Sequence, residues 1–164
     1  MANTLETLCE ILTQLGAGRV PCAITGGWAE ELLGLREPWK HADIDLVYQG
    51  ETFAALDTAI EHLKPTVREV WQKRFRHKRA FVFEGTLCEI TLVQGGPLAP
   101  VTHYWGDVPF HWQVPLLHQE MVDLPCCRAS VMSADNLLRH RLCWKETQPH
   151  RWRDPASLEP ARRP

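Results

Sequence analysis

Asp43 and Asp45 alternate with Ile44 and Leu46 in a run that continues into Val47, the period-2 pattern of a strand. Both carboxylates therefore leave one face, roughly 7 Å apart along the chain, while Ile44 and Leu46 turn into a core. Two like charges this close on an otherwise apolar strand repel each other unless a cation lies between them. Mg²⁺, which takes carboxylate and phosphate oxygens, meets that need. The pair reads as half of a divalent-metal site for phosphoryl transfer.

The segment before it is organised to meet an anion. Val20, Cys22, Ala23 and Ile24 form a short apolar run, Thr25-Gly26-Gly27 is a turn signal, and Trp28 to Leu33 has helical apolar spacing that ends at Gly34. The order is strand, glycine turn, helix. Gly26 and Gly27 let the backbone approach a ligand closely, and the N-terminus of the following helix offers N–H groups to a triphosphate.

From Gly26 to Asp45 the chain resembles the nucleotidyltransferase superfamily that includes DNA polymerase beta, and more narrowly the small aminoglycoside and lincosamide nucleotidyltransferases of bacteria. Gly26, Gly27, Trp28 and Ala29 match the family's Gly-Gly-Trp-Ala start, and His41, Asp43, Ile44 and Asp45 match its His-x-Asp-Ile-Asp end. Between them Gly34-Leu35-Arg36 replaces an adjacent Gly-Arg, and Pro38-Trp39 stands where Thr-Arg is common. Lys40 keeps a cation before His41. The resemblance extends over residues 20 to 50 and on to Val93.

The resemblance implies an α+β nucleotidyltransferase fold, a mixed β-sheet flanked by helices with a short C-terminal helical segment. Residues 1–95 would form the core and residues 96–164 a loop-rich, helical extension packed on it, ending in a Pro- and Arg-rich tail from about 150 to 164. It also implies Mg²⁺ held by Asp43 and Asp45, a nucleoside triphosphate such as ATP held by Gly26, Gly27, Arg36 and Lys40, and a small-molecule acceptor. A third carboxylate is expected on a later strand. Arg79 to Glu84 and Leu87 to Val93 are β-rich runs separated by Gly85-Thr86, a hairpin with Glu89 inside its second strand. An acid within Leu-Cys-Glu-Ile-Thr-Leu-Val needs a partner or a metal if the strand is buried, and faces solvent if the strand lies at a sheet edge; the metal reading is the stronger. Glu89 is then a metal ligand, the base for the acceptor hydroxyl, or both.

Other elements follow from periodicity. Helices are predicted over about Thr4 to Leu15, Thr52 to Leu63, and Ala134 to about Glu146 behind Ser133 as cap. Val67 to Gln72 reads as extended, and Gly95 to Pro115, punctuated by Gly and Pro, as a long loop. Arg68, Lys73, Arg74, Arg76, Lys78 and Arg79 form a basic run that is either a solvated surface or a set of phosphate contacts. Trp105 and Trp112 on the loop either line an acceptor pocket or pack in the core. His41 either fixes its loop or moves a proton.

With 164 residues and 45% hydrophobic content the chain can bury one full core without disulfides. Six cysteines, at 9, 22, 88, 126, 127 and 143, show no C-x-x-C or His spacing and read as free buried thiols. No stretch has the form of a signal peptide or the length of a membrane span, so the cytoplasm is the expected location. The net charge of −2 argues against broad nucleic-acid binding. A homodimer is compatible with the sequence. Three readings compete: nucleotidylation of an antibiotic, nucleotidylation of a protein or RNA in the manner of a toxin, and a non-catalytic nucleotide-binding module. Glu30, Glu31, Glu37, Asp107, Glu120 and Asp123 are the acids that an aminoglycoside pocket could draw on.

Overall fold

The computed structural model describes residues 3–105 and 108–147; the tail from about 150 to 164 lies outside them. Helix α1 (Leu5–Ala17) starts where the Thr4 hydroxyl accepts from the Thr7 N–H, and it buries Leu8, Ile11 and Leu15 on one stripe. Strand β1 (Cys22–Thr25) runs directly into α2 (Gly26–Leu32), so both glycines belong to the first turn of the helix. Strand β2 (Asp43–Gln49), helix α3 (Ala54–Leu63) and strand β3 (Val67–Glu69) follow. The predicted strand over Val67 to Gln72 stops early because Trp71–Lys73 closes a single 3₁₀ turn, which swings Lys73 back over the sheet.

Strands β4 (Lys78–Phe83) and β5 (Thr86–Val93) form the expected hairpin, with Glu84 and Gly85 both at positive φ in its two-residue turn. The five strands lie in the order β1-β2-β5-β4-β3. Only β2 and β5 are parallel, which makes the sheet mixed, and their register sets Asp45 opposite Glu89. Paired residues of adjacent strands point to the same face, so this register brings the third carboxylate to the aspartates.

The stretch from Gly95 to Pro115 is not the long loop its Gly and Pro suggest. It contains an antiparallel hairpin, β6 (Val101–Tyr104) with β7 (Val108–His111). Gly95 and Gly96, both at positive φ, turn the chain back on itself, and Gln94 and Val101 exchange backbone hydrogen bonds of 2.7 and 2.9 Å. Pro109 is tolerated because a two-stranded ribbon leaves one edge unpaired. A second small hairpin pairs β8 (Val122–Asp123) with β9 (Arg128–Ala129). Residues 130–132 then lie along the free edge of β1: Ile24 donates to Ser130 and accepts from Met132. That docking aims the last helices at the sheet. The predicted Ala134 to Glu146 helix breaks at Cys143 into α4 (Ala134–Leu142) and α5 (Trp144–Thr147).

One buried cluster joins the two halves, running from Leu8, Ile24, Ile44, Leu46 and Ile90 to Tyr104, Trp112, Met132 and Leu137. No helix among the described residues is long and apolar enough to cross a membrane.

Candidate active site

The sheet register concentrates negative charge at one point. Carboxylate oxygens of Asp43, Asp45 and Glu89 all lie within 4.8 Å of one another, the aspartates half-buried and Glu89 buried. Three hard oxygen donors at this spacing fit a divalent cation of the Mg²⁺ type, so the residues present suit the ion that the sequence resemblance implies. Two cations of the protein already approach the group. Lys73, delivered by the 3₁₀ turn, and Lys78, at the start of β4, each pair with one oxygen of Glu89. Burial raises the Glu89 carboxyl, but Lys78 and Lys73 outweigh burial and hold it below the ordinary carboxylate value.

Packing around the aspartates explains the glycines more fully than a turn does. Gly26 has φ +64°, and a Cβ there would lie 2.5 Å from Asp45 Oδ2. A Cβ on Gly27 would lie 2.8 Å from His41 Nδ1. What the two glycines admit is therefore protein: the Asp45 carboxylate and the His41 ring. His41 is buried, its ring 4.1 Å from that of Trp28, and its Nε2 lies 2.8 Å from Glu31 Oε2. The same Glu31 oxygen accepts from the Trp39 N–H. His41 is thus a clamp on the 39–41 loop. Asn3 is a second one, donating to the Asp43 carbonyl at 2.8 Å and accepting from Trp28 Nε1 at 3.1 Å. Together they fix the start of β2 against α2.

Asp45 borders two clefts. The first, about 220 Å³, is lined by Gly26, Gly27, Glu30, Arg36, Lys40, Asp43, Asp45 and Arg141, with the rings of Trp39 and His41 and, shared with the second cleft, those of His140 and Trp144. Arg141 reaches from α4 to pair with Glu30, and Arg36 lies 3.9 Å from the same carboxylate and stacks 5.2 Å over Trp39. The second is a recess of about 50 Å³ between Asp45, Lys78 and Thr91 on one side and His77, Tyr104, Trp105, His140 and Trp144 on the other. His77 accepts the Trp105 N–H on Nδ1, which puts its proton on Nε2, and Nε2 has no hydrogen-bond partner among the described residues. Burial, then the adjacent Lys78, drive the His77 pKa down to about 4 against a smaller opposing effect of Glu89, so the ring is neutral. Tyr104 and His140 stack and share a 3.0 Å hydrogen bond.

Compared by sequence, the chain matches no protein-family profile and no curated relative. Compared by shape, it superposes on the antibiotic-resistance factor ANT(2'')-Ia in solution with a TM-score of 0.67 at 17% identity, over 94% of this chain and 76% of that one. The lincosamide antibiotic adenylyltransferase LnuA, in a lincomycin-bound crystal, gives 0.67 at 14% identity over 93% and 94%. The fold is that of the nucleotidyltransferases. A nucleotidyltransferase-like antigenic protein of Paracoccidioides brasiliensis gives 0.55 at 17% identity over 88% and 68%.

Within this nucleotidyltransferase fold the residues singled out by sequence converge: Asp43, Asp45 and Glu89 meet, and Gly26, Gly27, Arg36 and Lys40 line one cleft with the aspartates. The basic run does not behave as a free patch. Lys73 and Lys78 are bound to Glu89, Arg74 to Asp57 and Glu69, and Arg79 to Asp57. The six acids do not gather around an acceptor either. Glu30 faces arginines, Glu31 faces His41, and Asp123 pairs with Arg128. Glu37 and Glu120 are exposed away from both clefts, and Asp107 lies outside the described residues. Trp112 is core and Trp105 is recess wall. Sequence reasoning missed Asn3, His77, His140 and Arg141, whose roles depend on contacts from Asn3 to Asp43, His77 to Trp105, and residue 30 to residue 141 that no local pattern carries.

Proposed function

We propose that the protein is a metal-dependent nucleotidyltransferase that moves a nucleoside monophosphate, AMP from ATP, onto a hydroxyl of a small molecule and releases pyrophosphate. The observation that carries this reading is the three-carboxylate cluster, whose Asp45 borders both the cleft that holds Arg36, Lys40 and Arg141 and the ring-rich recess. Asp43 and Asp45 would hold the divalent cation. That cation, when bound, neutralises phosphate charge and lowers the pKa of the attacking hydroxyl.

The chain's own groups do the positioning. Arg36, Lys40 and Arg141 form the wall for the triphosphate, assisted by N–H groups of the first turn of α2, which the Thr25 side chain does not cap. The recess presents ring faces to the acceptor, so its hydroxyl oxygen meets the α-phosphorus beside Asp45 as the bond to pyrophosphate breaks. Glu89 completes the cation's oxygen set or takes the hydroxyl proton, and for either role its oxygens keep lone pairs beyond those that meet Lys73 and Lys78. Glu89→Gln separates the two: loss of turnover with intact nucleotide binding marks a base, and loss of both marks a ligand.

The recess also bears on the acceptor. ANT(2'')-Ia has been crystallised with adenylyl-2''-tobramycin, and LnuA with lincomycin. Among the described residues the recess carries one carboxylate, Asp45, and five aromatic or imidazole rings. At about 50 Å³ the recess takes one face of an acceptor and not the whole molecule, and its ring walls suit a weakly charged face, as in a lincosamide, over a polycationic aminoglycoside, which calls for several carboxylates. Lys73, Arg74, Lys78 and Arg79 of the basic run are engaged with internal acids, which weakens the case for a protein or RNA target. The test is pyrophosphate release by purified protein with ATP, Mg²⁺ and a panel of both antibiotic classes. Release that follows lincosamides and stops in Asp45→Asn supports the reading; release only with aminoglycosides overturns the acceptor assignment, and hydrolysis independent of Asp45 overturns the mechanism.

A further inference from the structure

Far along the chain from the carboxylates, a second group of ligating side chains comes together. Cys9, in α1, meets Cys126 and Cys127, in the turn between β8 and β9, and all three sulfurs lie within 4.8 Å of one another. Cys9 is buried, Cys127 half-buried and Cys126 exposed, so the cluster runs from the core to the surface. On the helix side Glu6, Cys9, Glu10 and Thr13 share one face by their i, i+3, i+4 and i+7 spacing. With Pro125 and Cys126 they wall an open cleft of about 340 Å³. Thr13 Oγ1 lies 4.0 Å from Cys126 Sγ.

Three thiols in one place are a soft donor set, opposite in kind to the oxygens of Asp43, Asp45 and Glu89. Zinc–sulfur bonds of about 2.3 Å place the sulfurs of a tetrahedral site about 3.8 Å apart. The observed spacing closes to that value by a shift of about 1 Å, which an exposed hairpin turn such as that of Cys126 accommodates. Cys9 and Cys126 border the cleft, where water, Glu6 or Glu10 can supply an oxygen as fourth donor.

We propose that Cys9, Cys126 and Cys127 form a thiolate site for one thiophilic divalent cation of the zinc type, separate from the carboxylate centre, which clips the β8–β9 turn to α1. Each thiol gives its proton to solvent as its sulfur binds the ion, with no change of oxidation state. The clip acts on the C-terminal half, because β9 leads straight into residues 130–132 on the edge of β1 and on to α4.

The experiment uses the full chain, stripped with chelator, kept reduced and titrated with Co²⁺ alone and with Cd²⁺ alone. One equivalent should produce thiolate-to-metal charge-transfer absorption, and Zn²⁺ should displace it and raise the unfolding temperature. The band should persist in Asp43→Asn/Asp45→Asn, since oxygen ligands do not generate it. Cys126→Ser, exposed and so least disturbing to the fold, should weaken binding by more than the roughly 10- to 100-fold that loss of an outer partner costs. Cys9→Ala should do the same. Absence of the band in folded wild-type protein, or a band unchanged in Cys126→Ser and abolished instead by Cys143→Ser, would overturn the proposal.

Discussion

The two sides of Asp45 are built from opposite materials. On the side of Arg36, Lys40 and Arg141 the wall carries exposed cations beside the Glu30 and Asp43 carboxylates; on the side of His77, Tyr104 and Trp105 it is made of tilted and edge-on rings, two of them buried, and His140 and Trp144 border both sides. Exposed cations bind a multiply charged ligand and release it readily, because solvent screens them. A ring-lined recess selects by shape and excludes water. One aspartate between such walls can take charge from one ligand and a hydroxyl from the other. The site thus has two walls of different chemistry joined at His140 and Trp144, and residues away from that seam let each wall be attacked separately.

The largest effect should come from the boundary itself. Asp43→Asn or Asp45→Asn removes cation-holding charge, and turnover with Mg²⁺ and saturating ATP should fall on the order of 10³-fold, about 4 kcal/mol of transition-state stabilisation. Metal-free thermal stability should hold or rise as repulsion is relieved. Wild-type turnover in either variant would remove the boundary.

On the ring wall, acid should act through His77. Its folded pKa of about 4 lies below the ordinary 6.5, so between these values the unfolded chain binds a proton that the folded chain refuses. Stability is then full above about 6.5 and declines as pH falls toward 4, by about 2 kcal/mol between pH 7 and pH 5. Urea unfolding at those two pH values should show the difference in wild type and a flatter response in His77→Gln. Equal slopes in both proteins would place a charge-tolerant environment around that ring.

The cationic wall should show a smaller and cleanly partitioned effect. Arg141→Gln should weaken Mg·ATP binding about tenfold, close to 1.4 kcal/mol, and leave the acceptor KM unchanged. Glu30→Gln serves as control, because it frees the same guanidinium from its internal carboxylate. Trp105→Ala should do the reverse at about fivefold, raising the acceptor KM while calorimetry finds ATP affinity unaltered. If either variant moved both constants together, the two walls would not be independent.

How much of this was readable from residue order depends on the range of the contact that makes each feature. The alternation of Asp43 with Ile44, the glycine turn before Trp28 and the acid within β5 are local, and the sheet followed from them. The β6–β7 hairpin was hidden because Gly95, Gly96 and Pro109 are read as breakers, whereas two of them make a turn and the third occupies an unpaired edge. Lys73 and Lys78 were visible only as members of a basic run, since their bond to Glu89 needs the 3₁₀ turn and the hairpin together. Arg141 and His140 depend on residues 130–132 docking beside Ile24, and Cys9 meets Cys126 and Cys127 by the same long-range packing. Such convergence carries no period.

Calorimetric titration of ATP into the protein, with and without Mg²⁺, in wild type and in Asp43→Asn/Asp45→Asn, addresses the division at Asp45 without any knowledge of the acceptor. Binding should be tight only with Mg²⁺ in wild type and fall to the metal-free level in the double variant. Equal affinity in all four combinations would contradict a metal-dependent nucleotide site at these aspartates.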